Sequence, residues 1–579
     1  MRYDTTFIAR HPRVAALATA AGCLVFQLVA TLSPAMAATT TVDVSVDKKV
    51  YQPHTPVKGE VTVTGDKHLK ALLRVFTFNE QSGNEIDLRE YPVTLPADGS
   101  RTIPFVIAPT PAPDASYSVV AALYIDKDNI PEVQNKARFG VRPPGFPEGV
   151  PDHILKAEVD SLNVPEILED LEWGAQEKSP VGLSIGSQKF TVQVERQELL
   201  APGVEIPGLG RPPTFVGKIV NSKGEMEEES LVVFTVTNGQ LGGALHMPVD
   251  TTNEPPGQIP PGATESLWIQ PLSDMQLHSG VETKAASAAA PGLHICYRQK
   301  DTIPPPEVGP EGHGDPIVEV PPQAFLPEPE AMAFEALLAP PTLTHEVNIQ
   351  VYQDNDTAAF SGFHYNIIFA WAQQLKKNFG LAGTGIPRYT GASIVKVSGV
   401  TISKWQQISR AGYSTDCNAN LAKFQDDTEA GRNGPIKNNT LQILLTTQSM
   451  DCGGIAYLGR PVAAGSGKRM YSLTKDTSGS ASYDTMVLLQ ETGHNLDWHA
   501  SWTPRPHDSH LAPEISESYT HFHFFSLVGP FIGDSKHCTA MMGSYGDCQE
   551  PEPVWAWGLG SSSLTHLAEG IAQLFPGTP

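Results

Sequence analysis

The sequence predicts a multidomain chain in which N-terminal β-sandwich-like units precede an α/β domain. Three observations carry that prediction. Residues 40–142 alternate apolar and polar side chains in short runs broken by turn residues. A stretch at 304–341 holds 11 prolines in 38 positions and cannot build a core. Beyond that stretch Pro falls and amphipathic helical periodicity appears. The chain has 579 residues, which suits three or four units of roughly 100–200 residues each. The 50 Gly and 50 Pro favour strands, turns and linkers over long helices. With 63 acidic against 40 basic residues the net charge is −23, which argues against nucleic acid or an anionic membrane as the main partner.

At the N-terminus, Arg10 and Arg13 precede an apolar run from Val14 to Leu32, which ends in Ala35-Met36-Ala37. A charged region, an apolar region and a small-x-small site together read as a signal peptide over 1–37, so the protein is expected to be secreted. No other stretch reaches the ~18 apolar residues of a membrane span. Export permits disulfides. Of the cysteines beyond the leader, Cys417 with Cys452 and Cys538 with Cys548 are the preferred pairs, which leaves Cys296 odd.

A first β-sandwich-like domain is expected over 38–142, with strands at Thr41 to Val46, Leu72 to Phe78 and Tyr117 to Tyr124. A second β-rich unit follows over 143–302. It has strands near Lys189 to Glu195 and Leu231 to Thr237, and a short helix around Val164 to Leu171. The Pro-rich linker takes 303–342. The last domain, 343–579, opens with a strand at Glu346 to Val351. A helix then carries Phe363, Ile367, Trp371 and Leu375 on one face. After a strand at Leu441 to Thr446, a helix is expected over Tyr483 to Leu496, with Ser482 or Asp484 as N-cap. The alternation of strand and helix makes this domain α/β.

Chemistry concentrates in this last domain. Seven of the 18 histidines fall within residues 494–537, and metal binding is the direct reason for such clustering. The helix reads Gln490-Glu491-Thr492-Gly493-His494-Asn495-Leu496-Asp497-Trp498-His499. Positions 490 and 494 share one helix face and can aim two donors at one ion. Glu491 beside them can take a proton from water. A reversal at Asp497 would return His499 to the same place.

This segment resembles the long zinc signature of the metzincin metallopeptidases, in its gametolysin-type form with Gln in place of the first His. Two further stretches are similar to that clan. Gly533-Asp534 followed by Cys538-Thr539-Ala540-Met541-Met542-Gly543 resembles the Met-turn, and Leu441 to Gly459 resembles the edge strand that lines the substrate cleft. The resemblance covers about 235 residues and implies a metzincin-like α/β metallopeptidase domain. It also implies a zinc ion, one divalent cation, held by His494, His499 and Gln490, with Glu491 as general base and Met542 beneath the site. The implied activity is endopeptidase hydrolysis of extracellular proteins, matrix or cell-wall glycoproteins among them. The chain departs from the family pattern in two places: Asp497 replaces the turn glycine, and His499 follows His494 by five residues where the family has six. His507 and His510 stay open as third ligands, Met541 as the alternative floor, and Tyr545 as a hydroxyl donor.

Competing readings stay beside this one. The chain as a non-catalytic exported binding protein on a degenerate peptidase fold is one. A surface protein whose β-units carry the function is another. Cys296 is either an ordinary buried cysteine or a latency switch whose thiolate occupies the metal. The run Gly182-Leu183-Ser184-Ile185-Gly186 fits a serine-hydrolase elbow, but a β-like run follows it, so it reads as a turn.

Overall fold

The computed structural model describes residues 40–66, 68–79, 85–107, 115–125, 133–248, 264–279, 292–298, 301–302, 342–354, 359–380, 394–448, 450, 452–457, 462–464, 467–476, 479–496, 520–521, 535–536, 571–572, 574–575 and 577–578. The leader and the Pro-rich stretch up to residue 341 lie outside them.

In the first unit, alternation along the outer strands, β1 and β6 among them, builds a two-sheet arrangement, while β7 is buried along its whole length. One sheet orders β1 (Thr41–Val46), β3 (Val57–Thr64) and β6 (Ser100–Ile107). The other orders β2 (Val50–Tyr51), β8 (Val133–Val141), β7 (Ala115–Tyr124), β4 (Lys70–Asn79) and β5 (Glu85–Thr94). Val42, Val44, Val61 and Phe105 from the first sheet share one core with Leu73, Val75, Tyr117 and Phe139 from the second. Facing sheets that bury alternate residues are sandwich packing.

The second unit is an eight-stranded antiparallel sheet. Its order is β10 (Val181–Ile185), β11 (Gln188–Arg196), β12 (Thr214–Ile219), β13 (Leu231–Thr237), β14 (Gln240–Pro248), β15 (Thr264–Pro271), β16 (Leu293–Arg298) and β9 (Glu158–Ser161). Helix α1 (Val164–Glu177) covers one face through Leu171, beside Val232 and Phe234. A short helix, α2 (Leu272–His278), follows β15. The serine-elbow motif is a hairpin: exposed Ser184 sits in β10, Gly186 makes the turn at φ 58°, and a strand follows where a nucleophile elbow needs a helix.

The last unit alternates β17 (Thr342–Asp354), α3 (Ser361–Gly380), β18 (Ile394–Ile408), α4 (Cys417–Glu429), β19 (Thr440–Thr446), β20 (Gly454–Ala456), β21 (Val462–Ala464), β22 (Gly467–Lys475) and α5 (Ala481–Leu496). Strands β18, β17, β19 and β22 run parallel in that order, and β20 joins β22 antiparallel at the edge. The final strand, Gly577–Thr578, returns to pair with β17. Helix α4 packs on one face through Leu421 and Phe424, against Tyr352, Leu444 and Tyr471. The Cys417–Cys452 disulfide ties α4 to the segment before β20. Cys538 and Cys548 lie outside the described residues.

The opposite face of this sheet carries α3 and α5, and it does not meet solvent. Trp371, Phe363 and Leu488 join Val233, Trp268, Met275, Ile295 and Tyr297 in one continuous core with the eight-stranded sheet. The helix lies close: a Cβ on Gly362 of α3 would stand 2.9 Å from the Thr237 hydroxyl of β13. Thr235 also donates to Asn366 Oδ1 at 3.1 Å. Strand β13 is therefore buried on both faces, which is why it reads as an unbroken apolar run.

Candidate active-site helix

Helix α5 begins at Ala481, one residue before the first of the two positions expected to cap it. The reason is that its caps come from the second unit. The first N–H groups of a helix have no partner within it. Here Ala481 N–H donates to Gln270 Oε1 at 3.0 Å, and Ser482 N–H donates to the Tyr297 hydroxyl at 3.3 Å. Gln270 Nε2 completes the clasp on the Gly479 carbonyl at 2.9 Å.

Further along α5, Trp371 Nε1 donates to Thr492 Oγ1 at 2.8 Å. Asn495 Nδ2 donates to the carbonyls of Tyr457 and Tyr471, each at 2.9 Å. The helix is thus fixed to α3 on one side and to β22 and the residue that follows β20 on the other, with Glu491 between these anchors. Glu491 is 2% exposed and lies against the edge strand. A Cβ on Gly454 of β20 would stand 2.6 Å from Glu491 Cγ and 2.8 Å from its Oε1, so a larger residue there would displace the Glu491 side chain.

Gln490 and His494 both lie on α5, four residues apart and on one face; only their backbone is described. His499, His507, His510, Met541, Met542 and Tyr545 lie outside the described residues. Among the described residues no group of three or more His, Cys, Asp or Glu side chains is arranged to hold a metal.

Cys296 is placed away from this helix. Along β16, Ile295 and Tyr297 face the core shared with α3 and α5, whereas Cys296 faces the core under α1. Burial, then Asp160 and Glu158, push its thiol up to about 12. In this arrangement the Cys296 side chain faces away from the core that α5 joins.

Spacing gave no sign of a second polar cluster, at the carboxyl ends of the parallel strands. Asp476, just after β22, shares a hydrogen bond with His364 Nε2 of α3 at 2.7 Å and lies 3.5 Å from His278 Nε2 of α2. Burial, reinforced by Asp274 and Asp354, pushes Asp476 up to about 8. Burial brings His364 down to about 4 and His278 down to about 3. Near neutral pH these groups are uncharged partners joining the second unit to the last. Beside them Asp354 pairs with Arg410 at 3.0 Å and accepts from Thr446 at 2.7 Å.

No family model and no curated protein matches the chain. Solved structures align over small pieces. A β-galactosidase from Bacteroides fragilis is 18% identical over 19% of this chain and 17% of its own, with TM-score 0.16. A β-glucuronidase from Bacteroides uniformis is 16% identical over 19% and 14%, also with TM-score 0.16. The Pseudomonas fluorescens alkylpurine DNA glycosylase AlkC is 11% identical over 18% and 31%, with TM-score 0.14. The chain thus spans less than a third of each. Likeness at this level carries no argument about function.

Proposed function

We propose that the chain is a secreted, metal-dependent endopeptidase whose last domain is metzincin-like and whose general base is Glu491. The observation that carries the reading is the seat of that carboxylate: on α5, pinned on both sides, and pressed into a glycine of the antiparallel edge strand β20. An edge strand offers unpaired backbone groups to which an extended peptide can add. Glu491 would then sit beside the scissile bond. The sheet order, with four parallel strands and one antiparallel edge next to the helix of the zinc-like signature, supports the same reading.

The residues to hold a divalent ion, zinc by the family resemblance, are His494, His499 and Gln490. The buried carboxylate of Glu491, one position from Gln490, is the group type that activates water beside such an ion. When bound, the ion supplies a Lewis acid and lowers the pKa of water. Glu491 takes the proton from the attacking water and passes it to the leaving amine. Backbone groups of β20 hold the substrate extended, while Trp371 and Asn495 keep the helix in register with that strand. The substrate class is protein or glycoprotein outside the cell.

Casein hydrolysis by the exported protein, abolished by chelator and restored by zinc, is the expected result. Absence of chelator-sensitive hydrolysis in the exported chain, with metal bound, would favour a non-catalytic binding protein on this fold.

A further inference from the structure

A cleft of about 730 Å³ lies where the second unit meets the last, remote in role from Glu491. Its floor is apolar, built by Val194, Val216, Leu231 and Val397 from strands β11, β12, β13 and β18. Its walls carry Lys178, Lys218, Lys376, Lys377 and Lys396, with Glu195 as the one acidic side chain among the lining residues. In a chain of net charge −23 this concentration of cations runs against composition.

The Glu229 carboxylate acts on both Lys218 and Lys377, and that of Glu228 on Lys218, so these two lysines are partly offset. Lys218 and Lys377 Nζ donate to the neighbouring carbonyls of Glu228 and Glu229, which fixes both ammonium groups at one turn. Among the described residues, no carboxylate forms an ion pair with any of the five. Burial, with Lys218 adding to it and Glu229 opposing it, brings Lys377 down to about 8. The site would therefore gain from an anion.

The chain itself carries a matching segment. Residues 303–341 hold seven Asp or Glu and no Lys or Arg, and they intersperse Phe325, Leu326, Met332, Phe334, Leu337 and Leu338 among the acids. The segment ends where β17 begins, at Thr342, and Thr344 lines the cleft. At roughly 3.3–3.6 Å per extended residue, Glu335 reaches roughly 25 Å from Thr342. Tethering also places these carboxylates at an effective concentration on the order of millimolar.

We propose that the lysine-walled cleft is the docking site of this chain's own acidic segment 303–341, its carboxylates on the lysines and its apolar side chains on the floor. The chain connecting the second unit to the last is then lashed across their junction.

The test is zero-length carbodiimide crosslinking of the full chain at low concentration, read by mass spectrometry. Links from Lys376, Lys396 or Lys178 to Glu328, Glu330 or Glu335 are expected. The yield of the Lys178 links should fall about tenfold in the Lys376→Glu/Lys396→Glu double variant and stay unchanged in Lys437→Glu, an exposed lysine elsewhere. Cutting of the segment by a Glu-specific protease should rise about tenfold in the same double variant. Links to the segment no more frequent than those from Lys437, or undiminished in the double variant, would overturn the proposal. So would links that form only between chains and grow with protein concentration, since the occupant would then be a second copy.

Discussion

The Tyr297 hydroxyl, on strand β16 of the second unit, accepts the Ser482 N–H in the first turn of the helix that carries Glu491. Tyr297 is fully buried and also meets Gln270 at 3.2 Å and Ser480 at 3.1 Å. Replacing it with Phe leaves a buried N–H without its acceptor, which costs about 1–3 kcal/mol. Tyr297→Phe should therefore lower the denaturant midpoint with little change in m. The cap serves the helix only if the loss exceeds that of Tyr91→Phe, a half-buried tyrosine of the first unit; an equal or smaller loss would contradict it.

The shared core has a consequence for any pro-region role of the second unit. Trp268, Met275, Ile295 and Tyr297 cover α3 and α5, so removing residues 143–302 would bare the apolar face that holds the candidate site. Residues 343–579 expressed alone should bind a hydrophobic dye and lack a cooperative melt. A sharp melt at the temperature of the full chain would show that the second unit is dispensable.

Gly454→Ala tests the seat of Glu491. The new methyl would meet that side chain at 2.6–2.8 Å, so the carboxylate or β20 must move. Overpacking of this kind costs about 1–3 kcal/mol. Proteolytic turnover should fall by more than stability predicts. Unchanged turnover would mean that Glu491 does not work from this position.

The Asp476 cluster predicts a pH profile. Its folded pKa, about 8, lies above the roughly 3.9 of an unfolded Asp, so the folded chain binds the extra proton. The resulting stability is full below the unfolded value and is lost as pH rises through about 8. His364 and His278 are held below their unfolded value, so their contribution is lost as pH falls from ~6.5 through about 4 and about 3. Asp274, Asp354 and Asp484 surround the cluster, with Arg410 on Asp354. Asp476→Asn cannot ionise, so its melting temperature should fall less than that of wild type between about pH 6 and about pH 9. Equal falls would remove Asp476 as the titrating group.

Local patterns were readable where packing repeats along one element. Phe363, Ile367, Trp371 and Leu375 follow the helical period and are all buried on α3. The preferred Cys417–Cys452 pair is formed. What escaped reading depends on distant partners. The start of α5 is set by Gln270 and Tyr297, roughly two hundred residues earlier in sequence, and no local spacing encodes them. His364 and Asp476 meet across 112 positions. Asn495, which anchors α5 to the edge strand, had a faint signal: it stands four residues after Glu491 and so shares its face. In the second unit β13 is covered on both sides and shows no alternation, so its sequence carries no sign of which face packs on α3. For the metal site, only the helix positions of Gln490 and His494 and the seat of Glu491 fall within the described residues.

Glu491→Gln, assayed for zinc content and casein turnover beside wild type, bears most directly on the central claim. The account predicts about one zinc per chain in both proteins, with turnover reduced by about a hundredfold to ten-thousandfold in the variant. Turnover within about twofold of wild type, with zinc retained, would contradict Glu491 as the general base and with it the proposed peptidase mechanism.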